Sequence, residues 1–145
     1  MLSNTSKYAL RAVIYIAAKS TGEKKIGIKV IAKELEIPMP FLGKVLQSLA
    51  KHKLLISTKG PNGGFGLAKE PSKIKLIEIV EIIDGLDIFN ECILGNKYCD
   101  HHHNICPVHE RYSEIRLQFY DLFKKTTLKQ LMHDIDNNEK PNILL

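Results

Sequence analysis

The 145-residue sequence lacks tryptophan, has few aromatic residues and contains no long apolar run. Its apolar stretches fall far short of the roughly 18 residues needed to cross a bilayer. The partly apolar N-terminus carries charges at Lys7 and Arg11 and has no small-residue cleavage site, so it is interpreted as a helix and not as a signal peptide. We therefore expect a soluble, cytoplasmic protein with no membrane partner.

The motifs of common enzyme classes are also absent. The sequence has no glycine-rich phosphate loop between a strand and a helix, no His-Glu-x-x-His motif and no nucleophile elbow. Its glycine-rich stretch, 60–64, is flanked by two predicted strands and makes a poor nucleotide loop. We therefore expect a protein that is not an enzyme and has no small-molecule substrate. A metal-binding adaptor or storage protein is a less favoured alternative.

Charge is distributed unevenly along the chain. The first 70 residues contain 12 Lys and Arg against 4 Asp and Glu, whereas the remainder contains 9 against 12. The net charge of +5 is thus concentrated in the first half. A basic half indicates a region that binds a polyanion, although a basic surface without a partner explains the charge alone equally well.

Apolar periodicity predicts three helices in this basic half. The first spans about residues 4–19, the second begins near Ile28, and the third spans about 39–52. Pro38 separates the last two, because proline disfavours helix in the residue before it. Two short helices joined by a tight turn form a helix-turn-helix pattern. The candidate DNA-binding residues of this pair are Lys29, Pro40, Gly43, Lys44, Gln47 and Lys51.

A predicted β-hairpin follows the third helix directly. Residues 54–59 and 65–68 have strand composition, and the stretch 60–64 between them is rich in turn residues. A hairpin in this place indicates a winged helix, in which glycines let backbone N–H groups approach phosphate. The helix pair, the wing and the charge together favour DNA binding over an ordinary hairpin. The candidate wing contacts are Lys59, Asn62, Gly63 and Gly64.

The second half is predicted to contain a helix over 74–84 closed by Gly85, an aperiodic segment and a long helix over about 110–125. The fold class is therefore mainly α with a small β-hairpin wing. We expect four segments along the chain. They are a winged helix-turn-helix domain over 1–85, a cysteine-bearing sensor loop over 86–109, a dimerisation helix and closing helix over 110–135, and a flexible tail over 136–145.

One face of the long helix is apolar and needs a partner. A chain this small could fold that face onto its own core. A second copy is the better interpretation, because a DNA reader with one small recognition helix gains affinity by pairing across a two-fold axis. We therefore predict a homodimer on a double-stranded DNA operator. The predicted interface residues are Tyr112, Ile115, Phe119, Leu122 and Phe123.

Three cysteines and a histidine lie close together in the aperiodic segment. Cys92, Cys99 and Cys106 are separated by six residues each, and His109 follows in Cys-Pro-Val-His. Thiolates suit iron–sulfur clusters and zinc, and imidazole can replace a thiolate on iron. No C-x-x-C pair is present, so the segment does not resemble an ordinary zinc knuckle. A cluster is the leading interpretation, with zinc, thiol redox chemistry and plain reduced thiols as alternatives.

Four motifs in order resemble the Rrf2 family of bacterial transcriptional regulators, which includes IscR, NsrR and CymR. The resemblance covers about residues 4–133 and implies a dimeric winged-helix transcription factor whose long C-terminal helices cross. The motifs are Tyr8-Ala9-Leu10-Arg11-Ala12, Ile37-Pro38-x-x-Phe41-Leu42-x-Lys44-Val45-Leu46-Gln47-x-Leu49, Gly60-Pro61-x-Gly63-Gly64-Phe65-x-Leu67-Ala68 and Ile79-Val80-x-x-Ile83-Asp84-Gly85.

The resemblance also bears on the cysteines. Some family members hold an iron–sulfur cluster through three cysteines before the long helix, at a slightly shorter spacing, and others hold none. IscR adds a histidine where His109 stands. Some members instead use a carboxylate at the position of Lys7, whose ammonium cannot be a ligand. Family membership alone does not fix the effector. From the number and placement of the ligands we expect one cluster, with 2Fe–2S as the favoured type, on Cys92, Cys99, Cys106 and His109.

The resemblance refines the expected DNA contacts in two places. Lys59 matches an arginine of IscR that contacts DNA, so the charge is kept and the bidentate fork is lost. Gly43 stands where IscR has a glutamate that helps to discriminate bases. The absence of that glutamate implies a different operator or looser discrimination.

Overall fold

The chain is mainly helical with one β-hairpin, as the sequence predicts. The structure, a computed structural model, describes residues 1–20, 23–95 and 106–137. Within these ranges no helix is long and apolar enough to cross a membrane. The elements are α1 (Asn4–Lys19), α2 (Ile28–Leu35), α3 (Met39–Lys51), β1 (Leu55–Thr58), β2 (Gly64–Leu67), α4 (Leu76–Asp84), α5 (His109–Lys125) and α6 (Leu128–Asn137), with short 3-10 turns at Pro71–Lys73 and Asp87–Phe89.

Helix α1 lies at the centre of the fold because much of its buried face consists of small side chains. Ala9, Ala12 and Ala17 are buried there beside Val13 and Ile16. Short side chains let neighbouring elements approach closely, and α1 contacts α2, α3, α4, α6 and β2. The apolar stripe that predicted this helix is therefore the surface around which the other elements pack.

Helices α2 and α3 form the predicted helix-turn-helix. The turn between them begins at Glu36, whose φ of 53° places it in the left-handed region, and its N–H bonds back to the last turn of α2. Pro40 lies in the first turn of α3, where its missing N–H costs nothing. The predicted apolar stripe of α3 is buried, which leaves the opposite face in solvent. The buried residues are Leu42, Val45, Leu46 and Leu49.

The hairpin is antiparallel and is tied to the chain between α1 and α2. It runs from Leu55 opposite Leu67 to Thr58 opposite Gly64. Ile26 forms a further bridge with Phe65, with N–O distances of 3.0 and 2.8 Å. A Cβ at Gly64 would lie 2.3 Å from the Ile26 carbonyl oxygen, and φ there is 140°. Only glycine permits this crossing, so Gly64 fixes the wing against the segment before α2.

Helix α4 begins later than the sequence predicts. Ile74 is extended instead of helical, and Leu128 N–H donates to its carbonyl oxygen at 2.9 Å. Leu76 N–H donates to Thr126 O at 3.1 Å, so the entry to α4 pairs with the entry to α6. Gly85 closes α4 as predicted, with a φ of 77°. Residues on both sides of the expected boundary at residue 85 share one core.

The apolar face of α5 is divided between the chain's own core and solvent. Phe123 is 7% exposed, and its ring lies 5.8 Å from that of Phe89. Phe123 thus packs in its own chain, where Phe89 of the aperiodic segment supplies an intramolecular partner, and its place in a dimer interface stays a prediction. Phe119 and Tyr120 complete this ring cluster. The expected tail lies outside the described residues from residue 138 onward.

Asp84 joins the end of α4 to the start of α1. Its carboxylate accepts hydrogen bonds from Ser3 N at 3.0 Å and from Ser3 Oγ at 2.6 Å. The same Ser3 Oγ caps α1 by accepting from Ser6 N at 3.0 Å. Partial burial raises the pKa of Asp84, but the hydrogen bonds from Ser3 outweigh it and hold the pKa below its usual value.

We expect Asp84→Asn to lower the free energy of unfolding by about 1 kcal/mol at neutral pH, because the amide is a weaker acceptor. The folded pKa is the lower one, so this stability is present above the unfolded pKa of about 4 and is lost as pH falls through the folded value. Urea unfolding at pH 7 and pH 3 measures how far the difference in unfolding free energy between wild type and Asp84→Asn becomes smaller at the lower pH. The exposed Asp87→Asn is the control, and an equal Asp84→Asn effect at both pH values would contradict the assignment.

Candidate functional site

The exposed face of α3 carries three polar residues that share one side of the helix. Lys44, Gln47 and Lys51 are all exposed and are spaced by three and four residues. They lie opposite the buried stripe of the same helix. This face therefore presents two cations and one amide to whatever binds there, as the sequence predicts.

Helix α1 holds the helix pair in place through two contacts. The ring of Tyr8 meets the ring of Phe41 edge-on, with centroids 5.5 Å apart. Arg11 Nη2 donates to Leu35 O at 2.8 Å, at the end of α2. Tyr8 and Arg11 are motif residues for which the sequence suggested no role. The sequence feature that could have indicated a role is the charge of Arg11 within the apolar pattern of the first helix.

The remaining candidate contacts of the helix pair have different environments. Lys29 and Pro40 are exposed, on α2 and in the first turn of α3. Gly43 is half-buried, and a Cβ there would lie 3.4 Å from Ile28 Cδ1. Gly43 therefore lies where α2 and α3 approach each other, close to the end of the Ile28 side chain.

Two of the four candidate wing residues are exposed side chains, and two are glycines that shape the turn. Lys59 and Asn62 are exposed at the tip. Gly63 N–H donates to Gly60 O at 2.9 Å, and a Cβ on Gly63 would lie 2.2 Å from Thr58 O. Its N–H is thus used within the turn. Gly63 therefore shapes the turn, and its predicted contact with DNA stays a prediction.

The structure brings two of the predicted metal ligands together. Cys92 Sγ and Cys106 Sγ are 3.6 Å apart, and Leu94 N–H donates to Cys92 Sγ at 3.4 Å. Cys92 is buried and Cys106 is half-buried. Cys99, the third predicted ligand, lies outside the described residues. The sulfur atoms of the first and the third cysteine of the sequence therefore lie next to each other.

His109 is the first residue of α5, and its side chain is half-buried. Its backbone N–H donates to Cys106 O at 3.1 Å. Within residues 1–20, 23–95 and 106–137, no three His, Cys, Asp or Glu side chains form a group that could hold a metal ion. His109 thus follows Cys106 by three residues, but its ring does not form a metal-binding group with the two described thiols.

The thiol pair fits the donor set of a metal centre. Two thiolates at about 2.3 Å from one tetrahedral metal lie about 3.7–3.8 Å from each other. The observed separation of 3.6 Å is close to this value. Adjacent thiols of this kind suit a soft or borderline metal and the iron of a cluster.

Two contacts that the sequence did not reveal attach the cysteine segment to α5. Phe89 packs against the rings of Phe119 and Tyr120, with centroids 5.5 and 5.4 Å apart. Arg116 Nη1 donates to Asn90 O at 3.3 Å. Both partners precede Cys92 by only a few residues. The position of the first cysteine is therefore linked to the middle of α5.

Comparison with known proteins gives a consistent result. A family model described as "Rrf2: Iron-dependent Transcriptional regulator" matches residues 2–134. The chain is 39% identical over 134 residues to an HTH-type transcriptional regulator of Aquifex aeolicus, which covers 92% of each chain. It is 31% identical over 133 residues to the HTH-type transcriptional regulator NsrR of Bacillus subtilis, covering 90% of this chain and 89% of that one.

Two solved structures are similar in fold. CymR, the global cysteine regulator of B. subtilis, superposes with a TM-score of 0.76 at 24% identity, covering 92% of this chain and 97% of that one. T. potens IscR superposes with a TM-score of 0.71 at 22% identity, covering 92% and 87%. These matches confirm the winged-helix fold.

Proposed function

Because the chain belongs to the Rrf2 family of transcriptional regulators, we propose that it binds a two-fold DNA operator as a homodimer. We further propose that its cysteines hold an iron–sulfur cluster that adjusts this binding. The exposed basic face of α3 supports the first part. The approach of Cys92 and Cys106 to 3.6 Å supports the second.

In this proposal α3 is the recognition helix that enters the major groove. Gln47 can pair with the N6 and N7 edge of adenine, which an amide recognises through two hydrogen bonds. Lys44 and Lys51 lie on the same face, where their ammonium groups neutralise phosphates. The contacts of Tyr8 and Arg11 with the helix pair hold this face at a fixed angle to α1.

The wing contributes a second contact through Lys59. Its side chain is exposed immediately after β1, at the base of a turn whose shape Gly63 and Gly64 fix. A lysine here acts as a point charge on phosphate or in the minor groove and carries little sequence information. The wing therefore adds affinity and register, and α3 adds base recognition.

We expect Lys59→Ala to weaken binding to every DNA sequence about equally and to lower the salt slope by about 0.9 for each protomer, because one phosphate contact is lost. Binding measured by fluorescence anisotropy at several salt concentrations checks both effects. Lys129→Ala removes another exposed charge, on α6, and is the control. An unchanged affinity and salt slope for Lys59→Ala would show that the wing does not contact DNA.

The proposed dimer is supported by apolar side chains that the single chain leaves exposed. Ile115 and Leu122 lie two helical turns apart on α5 and are 60% and 56% exposed. Ile93 and Leu94, beside the first cysteine, are exposed to a similar extent. Tyr112 and Phe119, on the same helix, are half-buried. Such a set of apolar residues is characteristic of a protein interface.

We predict that the wild-type chain sediments as a dimer at micromolar concentration and that Ile115→Glu with Leu122→Glu shifts it to monomer, because four carboxylates would be buried in the interface. Ile56→Glu is the control, since Ile56 is similarly exposed on the wing strand. Analytical ultracentrifugation gives the masses. A wild-type monomer, with or without DNA, would contradict the proposal.

The sensing part of the proposal assigns Cys92, Cys99, Cys106 and His109 as ligands. When bound there, an iron–sulfur cluster would supply a centre whose state depends on iron supply and oxidants. Pro107 lies between Cys106 and His109 and restricts the chain that joins them, which lowers the entropy lost when both are fixed. The two described thiols are already close enough to share one metal.

The cysteine segment influences α5 through its own attachments. Phe89 and Asn90 hold its start against the middle of α5, and Cys106 leads directly into the first turn of that helix. The site with a cluster bound and the site without one would favour different positions of this turn. Helix α5 also carries the exposed residues assigned to the dimer. The spacing of the two recognition helices would then change by a shift in population.

We expect Cys92→Ala, Cys99→Ala and Cys106→Ala each to abolish the visible absorption of anaerobically reconstituted protein, because each removes a thiolate ligand. His109→Ala should leave a labile chromophore. His133→Ala, an exposed histidine on α6, is the control and should leave the spectrum unchanged.

Iron and acid-labile sulfide are measured on the same samples. A reconstituted wild-type chain with neither iron nor sulfide would contradict the cluster assignment. One zinc per chain in such a sample would instead support a structural zinc site on the same cysteines.

A further inference from the structure

The two thiols at the base of the cysteine segment are also placed to bond to each other. Their sulfur atoms are 3.6 Å apart, and a disulfide requires about 2.05 Å, so a relative movement of about 1.5 Å closes the gap. We propose that, when no metal is bound, Cys92 and Cys106 form an intramolecular disulfide that leaves Cys99 as a thiol and excludes metal from the site. The disulfide itself goes beyond the proposed function, whereas the exclusion of metal rests on the proposed metal site, whichever metal that site holds.

The reaction is a thiol–disulfide exchange with a low-molecular-weight disulfide, such as oxidised glutathione. Cys106 is the more exposed of the pair, so its thiolate attacks the oxidant, forms a mixed disulfide and releases one thiol. The thiolate of Cys92 then attacks Cys106 Sγ and releases the second thiol. The protein loses two protons and two electrons, and the oxidant is reduced to two thiols.

The surroundings of the pair favour this second step. Cys92 Sγ is buried and receives a hydrogen bond from Leu94 N–H at 3.4 Å, so it is held close to its partner. Cys106 is held by its carbonyl oxygen, which accepts from His109 N–H at 3.1 Å. The bond would therefore join two segments that the fold already positions, without rearrangement of α5.

Oxidation and metal binding at this site exclude each other. A thiolate is a strong ligand for zinc or iron, whereas the sulfur atoms of a disulfide are not thiolates. One bond would remove two of the proposed ligands at once. The site would therefore exist in two alternative states, metal-bound with reduced thiols or metal-free with a disulfide.

The length of the loop that each possible disulfide closes provides a stringent test. In the unfolded chain, the entropy of loop closure disfavours the bond between Cys92 and Cys106. Bonds between Cys92 and Cys99, or between Cys99 and Cys106, close loops half as long as the bond between Cys92 and Cys106. Closure entropy favours each shorter loop by about threefold. A majority of the long-range bond therefore arises only when the fold brings its two cysteines together.

The experiment uses the full chain, reduced and freed of metal with a chelator, and oxidised glutathione as the oxidant. One sample is oxidised under native conditions and one in urea, and remaining thiols are alkylated. Cleavage after Lys97 and before Asp100 separates the three cysteines for peptide mass mapping. We expect the bond between Cys92 and Cys106 to dominate in the native sample, with Cys99 alkylated, and the two short loops to dominate in urea.

Matched variants and a metal titration complete the test. Cys99→Ser should oxidise as fast as the wild type, whereas Cys106→Ser should lose the intramolecular bond. Zn²⁺ titration should show binding to the reduced chain and at least a tenfold loss after oxidation. A native majority of either short loop, a stable mixed disulfide or equal zinc binding by both forms would overturn the proposal. Cluster reconstitution on Cys99→Ser tests the proposed function separately, since Cys99 has no part in the disulfide.

Discussion

Close packing around the small side chains of α1 is the constraint on which the rest of the structure depends. Ala9 and Ala12 are fully buried, so at these two positions no side-chain atom beyond Cβ separates α1 from its neighbours. The same helix bonds to the end of α2 through Arg11 and contacts α3 through Tyr8. Overpacking of such a face typically costs 1–3 kcal/mol. Stability and the angle of α3 therefore depend on the same few methyl groups.

Most helix boundaries could be predicted from the sequence because their causes are local. Apolar periodicity, Pro38 and the glycine-rich turn each act within a few residues, and the structure confirms α1, the helix pair, the wing and Gly85 as the end of α4. The start of α4 was predicted two residues early. Its cause is a pairing of Ile74 with Leu128, and no local pattern reports a contact between residues so far apart in the sequence.

The candidate DNA-binding residues could be predicted where exposure to solvent alone identifies them. Lys44, Gln47 and Lys51 follow from the apolar stripe of α3, because a residue off the stripe faces solvent. The packing of Phe123 against Phe89 could not be predicted, since an apolar side chain has the same sequence pattern whether it packs on its own core or on a partner. Spacing likewise left the approach of Cys92 to Cys106 open, because loop geometry and not helical periodicity determines it.

The anchoring of α5 suggests how a change at the cysteines would act on a dimer. This helix is 17 residues long, or about 25 Å, and among its residues, all of which the structure describes, only Phe123 near its C-terminal end is buried. That end continues through Thr126 into the pairing with α4, whereas the opposite end begins at the cysteine segment. A displacement of the first turn would therefore pivot α5 about its packed end. Ile115 lies nearer the N-terminal end than Leu122, so in the proposed dimer the contact between protomers would move further than the winged helix.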